Sequence, residues 1–433
     1  MLRLKTKPPR KSSEDVWQEA RQVIPGGVSR DQLYTDPPFF ASHGEGAYLV
    51  DVGGVGRVDF VNNYTSLIHG HAHPQTVEAI ARQAARGTAY GAPSELERQL
   101  ARMIVDRLSG SEMVRFTNSG TEATMLALQI ARSATRRKRI AKFEGGYHGS
   151  HELVRVSIKP EDGGPRSRPQ PVAEEGAEGF DLTDVLPFDD LTAVEAIARQ
   201  HGEQWAAVLV EPMQGSAGMM PARQGLLEKL RELADRHGFM LVLDEVMTFR
   251  HGGHGLQGEW NIRPDLTTLG KIIGGGLPVG AVAGPEKLMD SLAPPKPHRI
   301  QHSGTFNGNP LTMAAGLATM AAYDEQTARD LDARGDRLRS RLQETLAQFG
   351  LSVTGWGSMM NVHAAPTPPQ CWRDVRASDS GRMHRIQSGL MDRGFFLAPR
   401  GMLVLSTAHT EEHLDQLEEA LAAVAEQTAP SVA

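Results

Sequence analysis

The chain has 433 residues, more than one ordinary domain needs, so two domains with ample length for a large core are expected. A net charge of -6 without a long basic face speaks against nucleic acid as a partner, and no apolar run is long enough to span a bilayer. The single cysteine, Cys371, excludes an intrachain disulfide and fits a cytoplasmic protein; it sits in a Pro-rich loop, "PPQCWRD", and reads as inert.

The N-terminal run "LRLKTKPPRK" is basic but lacks the apolar stretch of a signal peptide, so it reads as a solvated tail. Hairpin signals follow in "GEGAYLVDVGGVGRVDF", and "HGHAHP" reads as a turn before a helix that begins near Pro74. The middle alternates between strands and helices. "AAVLVEPM" is a short apolar strand, "RQGLLEKLRELADRHG" a helix with Gly238 at its C-cap, and "FMLVLDEV" a second strand, which together make a βαβ unit. "DLTTLGK" and "VGAVAG" continue in the same style. The loop 159–179, "KPEDGGPRSRPQPVAEEGAEG", is a candidate mobile insert. Towards the C-terminus, "LSVTGWGSMMNVHAA" and "FFLAPRGMLVLS" read as strands and "TEEHLDQLEEALAAVAEQ" as an amphipathic helix. The expected architecture is α/β: a large, mostly parallel-sheet domain over 61–315, with a smaller α+β domain built from 1–60 and 316–433.

Four features bear on chemistry. In "FTNSGTEATMLALQIAR" a strand end runs into Ser119-Gly120-Thr121 and a helix start, which is either a plain cap or a phosphate cup. "FEGGYHG" places Tyr147 and His148 on a Gly-rich loop, where an aromatic ring either lies against a planar ligand or marks an exposed turn. In "TTLGKIIGGGLPVG", Lys271 ends an apolar strand and is either a turn residue or a buried amine of depressed pKa. "LVLDEVMTFR" ends a strand in Asp244 and Glu245. A carboxylate and an amine at neighbouring strand ends, a phosphate cup and an aromatic all match pyridoxal phosphate, which needs a lysine for its aldehyde and an acid for its pyridine nitrogen. "HGHAHP" and "HGGHG" have no Cys or carboxylate cluster at ligand spacing, so no metal site is expected, and no strand–GxGxxG–helix unit suggests a dinucleotide.

In the order "NSGTEA", "YHG", "VEPMQG", "LVLDEVMTFR", "TTLGKIIGGGLPVG" and "HSGTFNGNP", the whole chain resembles a fold-type I pyridoxal-phosphate enzyme of the class III aminotransferase group. The resemblance implies that Lys271 holds the cofactor as a Schiff base and that Asp244 pairs with its pyridinium. It implies a phosphate cradle of Ser119, Gly120 and Thr121, with Tyr147 stacked on the ring, His148 beside it, and Val246 on the opposite face. It places Glu211 near the ring hydroxyl and has Thr305 reach the phosphate of a neighbouring subunit, so that a homodimer shares the site. Glu245 is expected to serve structural hydrogen bonds.

Within the family, "VEPMQG", "DEVMT", "SGTFN" and "PRGMLVLS" resemble β-amino-acid (β-phenylalanine-type) transaminases, with Arg30 and Arg400 as carboxylate readers. The expected reaction is ping-pong transfer of an amino group from a β-amino acid to a 2-oxo acid. The alternatives are an intramolecular transfer of the glutamate-1-semialdehyde 2,1-aminomutase kind, suggested by "VIPGGV", and an amine or ω-amino acid transaminase. The N-terminal hairpin departs from the family in its extra glycine, "DVGGVGRVDF", which predicts a looser loop.

Overall fold

The computed structural model describes residues 11–30, 38–177, 179–223, 225–296 and 299–429. The basic N-terminal run lies outside them except for its last residue, Lys11, which pairs with Glu19 at 2.6 Å. A seven-stranded sheet runs in the order Met113–Thr117, Gly280–Gly284, Leu266–Gly270, Met240–Asp244, Trp205–Val210, Arg139–Phe143, Thr183–Leu186. Its interior strands are buried on both faces, which is why they read as unbroken apolar runs rather than alternating ones. The period of two survives in the packing. Ala207, Leu209 and Val242 meet Leu126, Ala127 and Ile130 of the helix Gly120–Thr135. Val208, Val210, Leu241 and Leu243 meet Leu227, Leu230 and Leu233 of the helix Leu226–His237.

One expectation is corrected. The strand Gly280–Gly284 does not extend the βαβ pattern; it runs antiparallel to both of its neighbours. Only residues 271–279 separate it from the strand Leu266–Gly270, too few for a crossover helix of a dozen or more residues. The chain instead turns through the short 3-10 segment Lys271–Gly274 and comes straight back.

Both ends of the chain meet in a second sheet. Ala41–Glu45, Tyr48–Asp51 and Gly56–Asp59 form an antiparallel meander, and Phe395–Phe396 pairs parallel to Gly56–Asp59. A third sheet holds Ser352–Trp356, Met359–His363 and Met402–Val404. The helix Glu411–Gln427 buries Leu414, Leu417, Leu421 and Val424, the stripe legible in the sequence. One apolar core contains Phe60, Phe116, Leu269 and Ile273 together with Leu338, Val353 and Leu403, and so crosses the boundaries proposed at 60 and 315.

Two loops are tighter than expected. Asp51 ties the glycine-rich hairpin by accepting from Val55 N (2.9 Å) and Arg57 Nη1 (3.0 Å). The segment 159–179 is pinned by Trp372 Nε1, which donates to Pro160 O at 3.2 Å, and by Arg373 Nη1, which donates to Gly164 O at 2.6 Å.

The helix Pro310–Ala322 carries Gly316 against the turn that holds Lys271. A Cβ at Gly316 would lie 2.1 Å from the Ile273 carbonyl oxygen. Gly316→Ala should therefore destabilise the fold by about 1–3 kcal/mol, although alanine is the better helix former by about 1 kcal/mol. Chemical denaturation checks the sign; a more stable variant would show that this helix can move away from the turn.

Candidate active site

Asp244 ends its strand at 5% exposure. One oxygen, Oδ2, lies 2.7 Å from His148 Nδ1, and the other accepts from Val246 N at 3.1 Å. A carboxylate only accepts, so the imidazole proton sits on Nδ1. Burial lowers the His148 pKa against the pull of Asp244, which leaves the ring neutral with a bare Nε2. That Nε2 is buried without a partner among the described residues, as is the hydroxyl of Thr268, which sits opposite Asp244 on the next strand. His148 therefore stands behind Asp244 and backs it. Glu245 takes the structural role expected of it: it accepts from Thr248 Oγ1, Leu256 N (3.2 Å) and Gln257 N (2.6 Å).

The strand Leu266–Gly270 delivers Lys271 beside Asp244. Lys271 has φ 50°, a left-handed conformation that costs a side-chain-bearing residue about 1 kcal/mol or more. Its amine has no hydrogen-bond partner among the described residues, and burial lowers its pKa against the opposing charges of Asp244 and Glu211. On the other side, Ser119 caps the helix Gly120–Thr135 by accepting from Glu122 N at 3.1 Å, which leaves the first N–H groups of the helix open. A Cβ on Gly120 or on Gly270 would stand 3.2 Å from the methyls of Val246. Val246 thus fills the gap between the helix start and the lysine strand. Gly149, at φ 99°, lets its loop close onto Thr121, where a Cβ would lie 2.4 Å from the Thr121 hydroxyl.

Tyr147, on the same loop, donates its N–H to Glu211 Oε2 at 3.2 Å, and Gly215 N donates to Oε1 at 3.3 Å. Burial, reinforced by the nearby Asp244 charge, pushes the Glu211 carboxyl up to about 8.

At the mouth, Arg30 Nη1 donates to Asn63 Oδ1 at 2.8 Å and Arg400 Nη2 reaches Ser216 Oγ at 3.4 Å. Both arginines act electrostatically on Tyr64, whose hydroxyl pKa burial raises while they pull it down. Arg400 is solvent-accessible, yet burial lowers its pKa. Tyr64 and Asn63 were not singled out in the sequence. They belong to a run of four left-handed residues, Asn62, Asn63, Tyr64 and Thr65, at φ 48°, 48°, 54° and 77°. Thr305 is exposed in the turn after Gly304, and Asn307 of that turn accepts from Asn118 Nδ2 at 2.7 Å. His69 and His71 bond to Thr407 Oγ1 (2.9 Å) and Asp59 (2.7 Å).

The donor set fits pyridoxal phosphate. A buried carboxylate is backed by a neutral imidazole, the half-buried Lys271 has an amine without a partner among the described residues, a helix start is open, and the glycines at 120 and 270 keep the space beside Val246 clear. The comparisons agree. The family model for aminotransferase class-III matches residues 30–422. A glutamate-1-semialdehyde 2,1-aminomutase of Desulforudis audaxviator is 42% identical over 94% of this chain and 96% of its own. Among solved structures, an omega-transaminase from Sphaerobacter thermophilus is 41% identical with TM-score 0.91, covering 97% of this chain and 98% of the other. A beta-phenylalanine aminotransferase from Variovorax paradoxus is 36% identical with TM-score 0.88, covering 96% and 94%. A transaminase with pyridoxal phosphate bound is also 36% identical, with TM-score 0.89 and coverage of 96% and 97%. Pyridoxal phosphate is the cofactor of this enzyme.

The raised Glu211 pKa has a measurable sign. Between the unfolded value of 4.5 and about 8 the folded state keeps a proton that the unfolded chain releases, so this group costs stability as pH rises. Glu211→Gln removes the effect. Relative to wild type, the apoprotein variant should gain stability from pH 5 towards pH 8, at a slope approaching ~1.4 kcal/mol per pH unit. Urea denaturation at several pH values reads the slope, and parallel curves would mean that Glu211 is ionised in the fold.

Proposed function

This chain belongs to the class-III aminotransferase family, and we propose that it shifts an amino group between carbons of a carboxylate-bearing substrate, as an aminomutase does. The observation that carries the carboxylate is the convergence of Arg30 and Arg400 on Tyr64 at the mouth of the pocket. The intramolecular course is supported by aminomutase relatives at 37–42% identity over 93–96% of the chain, which favour it over the β-amino-acid reading expected from the sequence.

When bound, the cofactor supplies an aldehyde for the substrate amine and a ring that takes up electrons from the adjacent C–H bond. The rest is done by the protein. Asp244 holds a positive charge at the ring nitrogen, and His148 keeps its carboxylate in place. Lys271 Nζ, its pKa lowered by burial, takes the proton from the carbon beside nitrogen and returns it. Ser119, Gly120 and Thr121 bind phosphate at the helix start, Tyr147 and Val246 bracket the ring, and Glu211 supports its hydroxyl side. Exposed Thr305 completes the phosphate site of a second copy, which makes the working unit a homodimer.

A second reading keeps the β-amino-acid transaminase with a 2-oxo acid acceptor. It is favoured by the two separate arginines and by the likeness to the Variovorax enzyme. The two readings part in a single experiment. Without any acceptor, the proposed enzyme converts glutamate 1-semialdehyde through many turnovers. A transaminase given β-phenylalanine instead stops after one half-reaction, visible as loss of the yellow band. Lys271→Ala should abolish turnover under either reading; retained turnover would sink the lysine's role. Arg400→Ala should raise KM for carboxylate substrates by about 10–100-fold, the worth of a charge-assisted bond, and spare amines without a carboxylate. Equal losses on both would remove Arg400 from substrate recognition.

A further inference from the structure

Lys142 stands in the strand Arg139–Phe143 with no exposed surface at all. A fully buried lysine is rare and costs stability unless its amine is satisfied. Here Nζ donates to two main-chain carbonyls, Gly146 O at 2.8 Å and Val156 O at 2.6 Å. The first belongs to the loop that carries Tyr147 and His148, and the second to the segment that turns back behind that loop. Gly145 N donates to Ser157 O at 2.9 Å, so the amine closes a ring of contacts around the loop. Gly146 sits one residue before the Tyr147 N–H that bonds Glu211, and two before the imidazole that backs Asp244. None of the steps assigned above uses Lys142.

We propose that Lys142 is a positioning residue: its buried amine clamps Gly146 and Val156 and so fixes Tyr147 and His148 against the cofactor. The proposal rests on the cofactor site described above. The groups that act on the amine are Glu211, Glu174 and Glu144, and burial outweighs their pull, lowering Lys142 to about 7. Of the three, Glu144 is spoken for by Arg373, at 2.7 Å and 2.9 Å. Apolar filling of the same space would preserve the core and lose only the clamp. That separates positioning from packing.

The test compares wild type with Lys142→Met, which keeps the length and apolar stem and removes both donations. Hydrogen exchange of the apoprotein should speed up by about tenfold or more in peptides covering 143–150, with the strands Trp205–Val210 and Met240–Asp244 unchanged. Affinity for pyridoxal phosphate, titrated by absorbance, should fall by about tenfold or more, the scale on which lost support behind binding groups is felt. A folded variant with wild-type exchange in that loop and wild-type affinity overturns the proposal. So does a uniform rise in exchange across the sheet, because it makes Lys142 a core filler. If the methionine variant does not fold, Lys142→Leu, which also removes both donations and stays apolar, is read in the same way. Failure of wild type itself to bind pyridoxal phosphate would instead strike the cofactor reading.

Discussion

Asp244 is a carboxylate at the carboxyl end of a buried strand, and a charge so placed must find a cation or give up its charge. The protein gives its two oxygens only partial satisfaction, one N–H from the backbone and one from a neutral imidazole. We assign the rest to a positive ligand. Around that need the neighbours fall into order. Burial, reinforced by the Asp244 charge, holds Glu211 protonated, and burial lowers Lys271 and His148 against the pull of Asp244. Each of these groups would be a liability by itself. Together they form a site pre-set for one kind of guest.

The geometry that holds them is strained where function gathers. Lys271 takes a left-handed conformation at the exact end of its strand, and the four residues Asn62–Thr65 make a left-handed turn at about 1–2 kcal/mol per residue. Such a turn persists because its surroundings over-determine it. Asp59 accepts from Val61 N (2.7 Å) and Asn62 N (3.0 Å), and Asn62 Nδ2 donates to Val404 O at 2.8 Å. The turn carries Tyr64, on which both arginines act, so the strain lies on the face that we propose meets substrate.

What was legible in the sequence was local. Asp244, Lys271 and Ser119–Thr121 each end an apolar run, and a polar group in that place stands out without knowledge of the fold. The helix Leu226–His237 could be read to its glycine cap, because amphipathic period and left-handed Gly238 are both written in one short window. Other features depend on distant partners. Nothing within "RIAKF" shows that Lys142 is buried; only the carbonyls of Gly146 and Val156, both outside that strand, make that burial tolerable. "NNYT" holds no glycine to announce a left-handed turn. The reversal at Gly280–Gly284 was hidden because a buried strand has the same composition whichever way it runs, and only the shortness of the link gives its direction away.

That reversed strand sets an order of assembly. Gly280 pairs with Thr117 in the sheet and lies so close to Ser119 that a Cβ would stand 2.0 Å from its carbonyl oxygen. The open helix start is therefore walled only after more than half of the chain has been made, and the sheet that shapes the mouth waits longer still, for Phe395 to join Val58. Non-local pairings close late in folding, so the helix start at Gly120 gains its walls only once segments far along the chain have folded back.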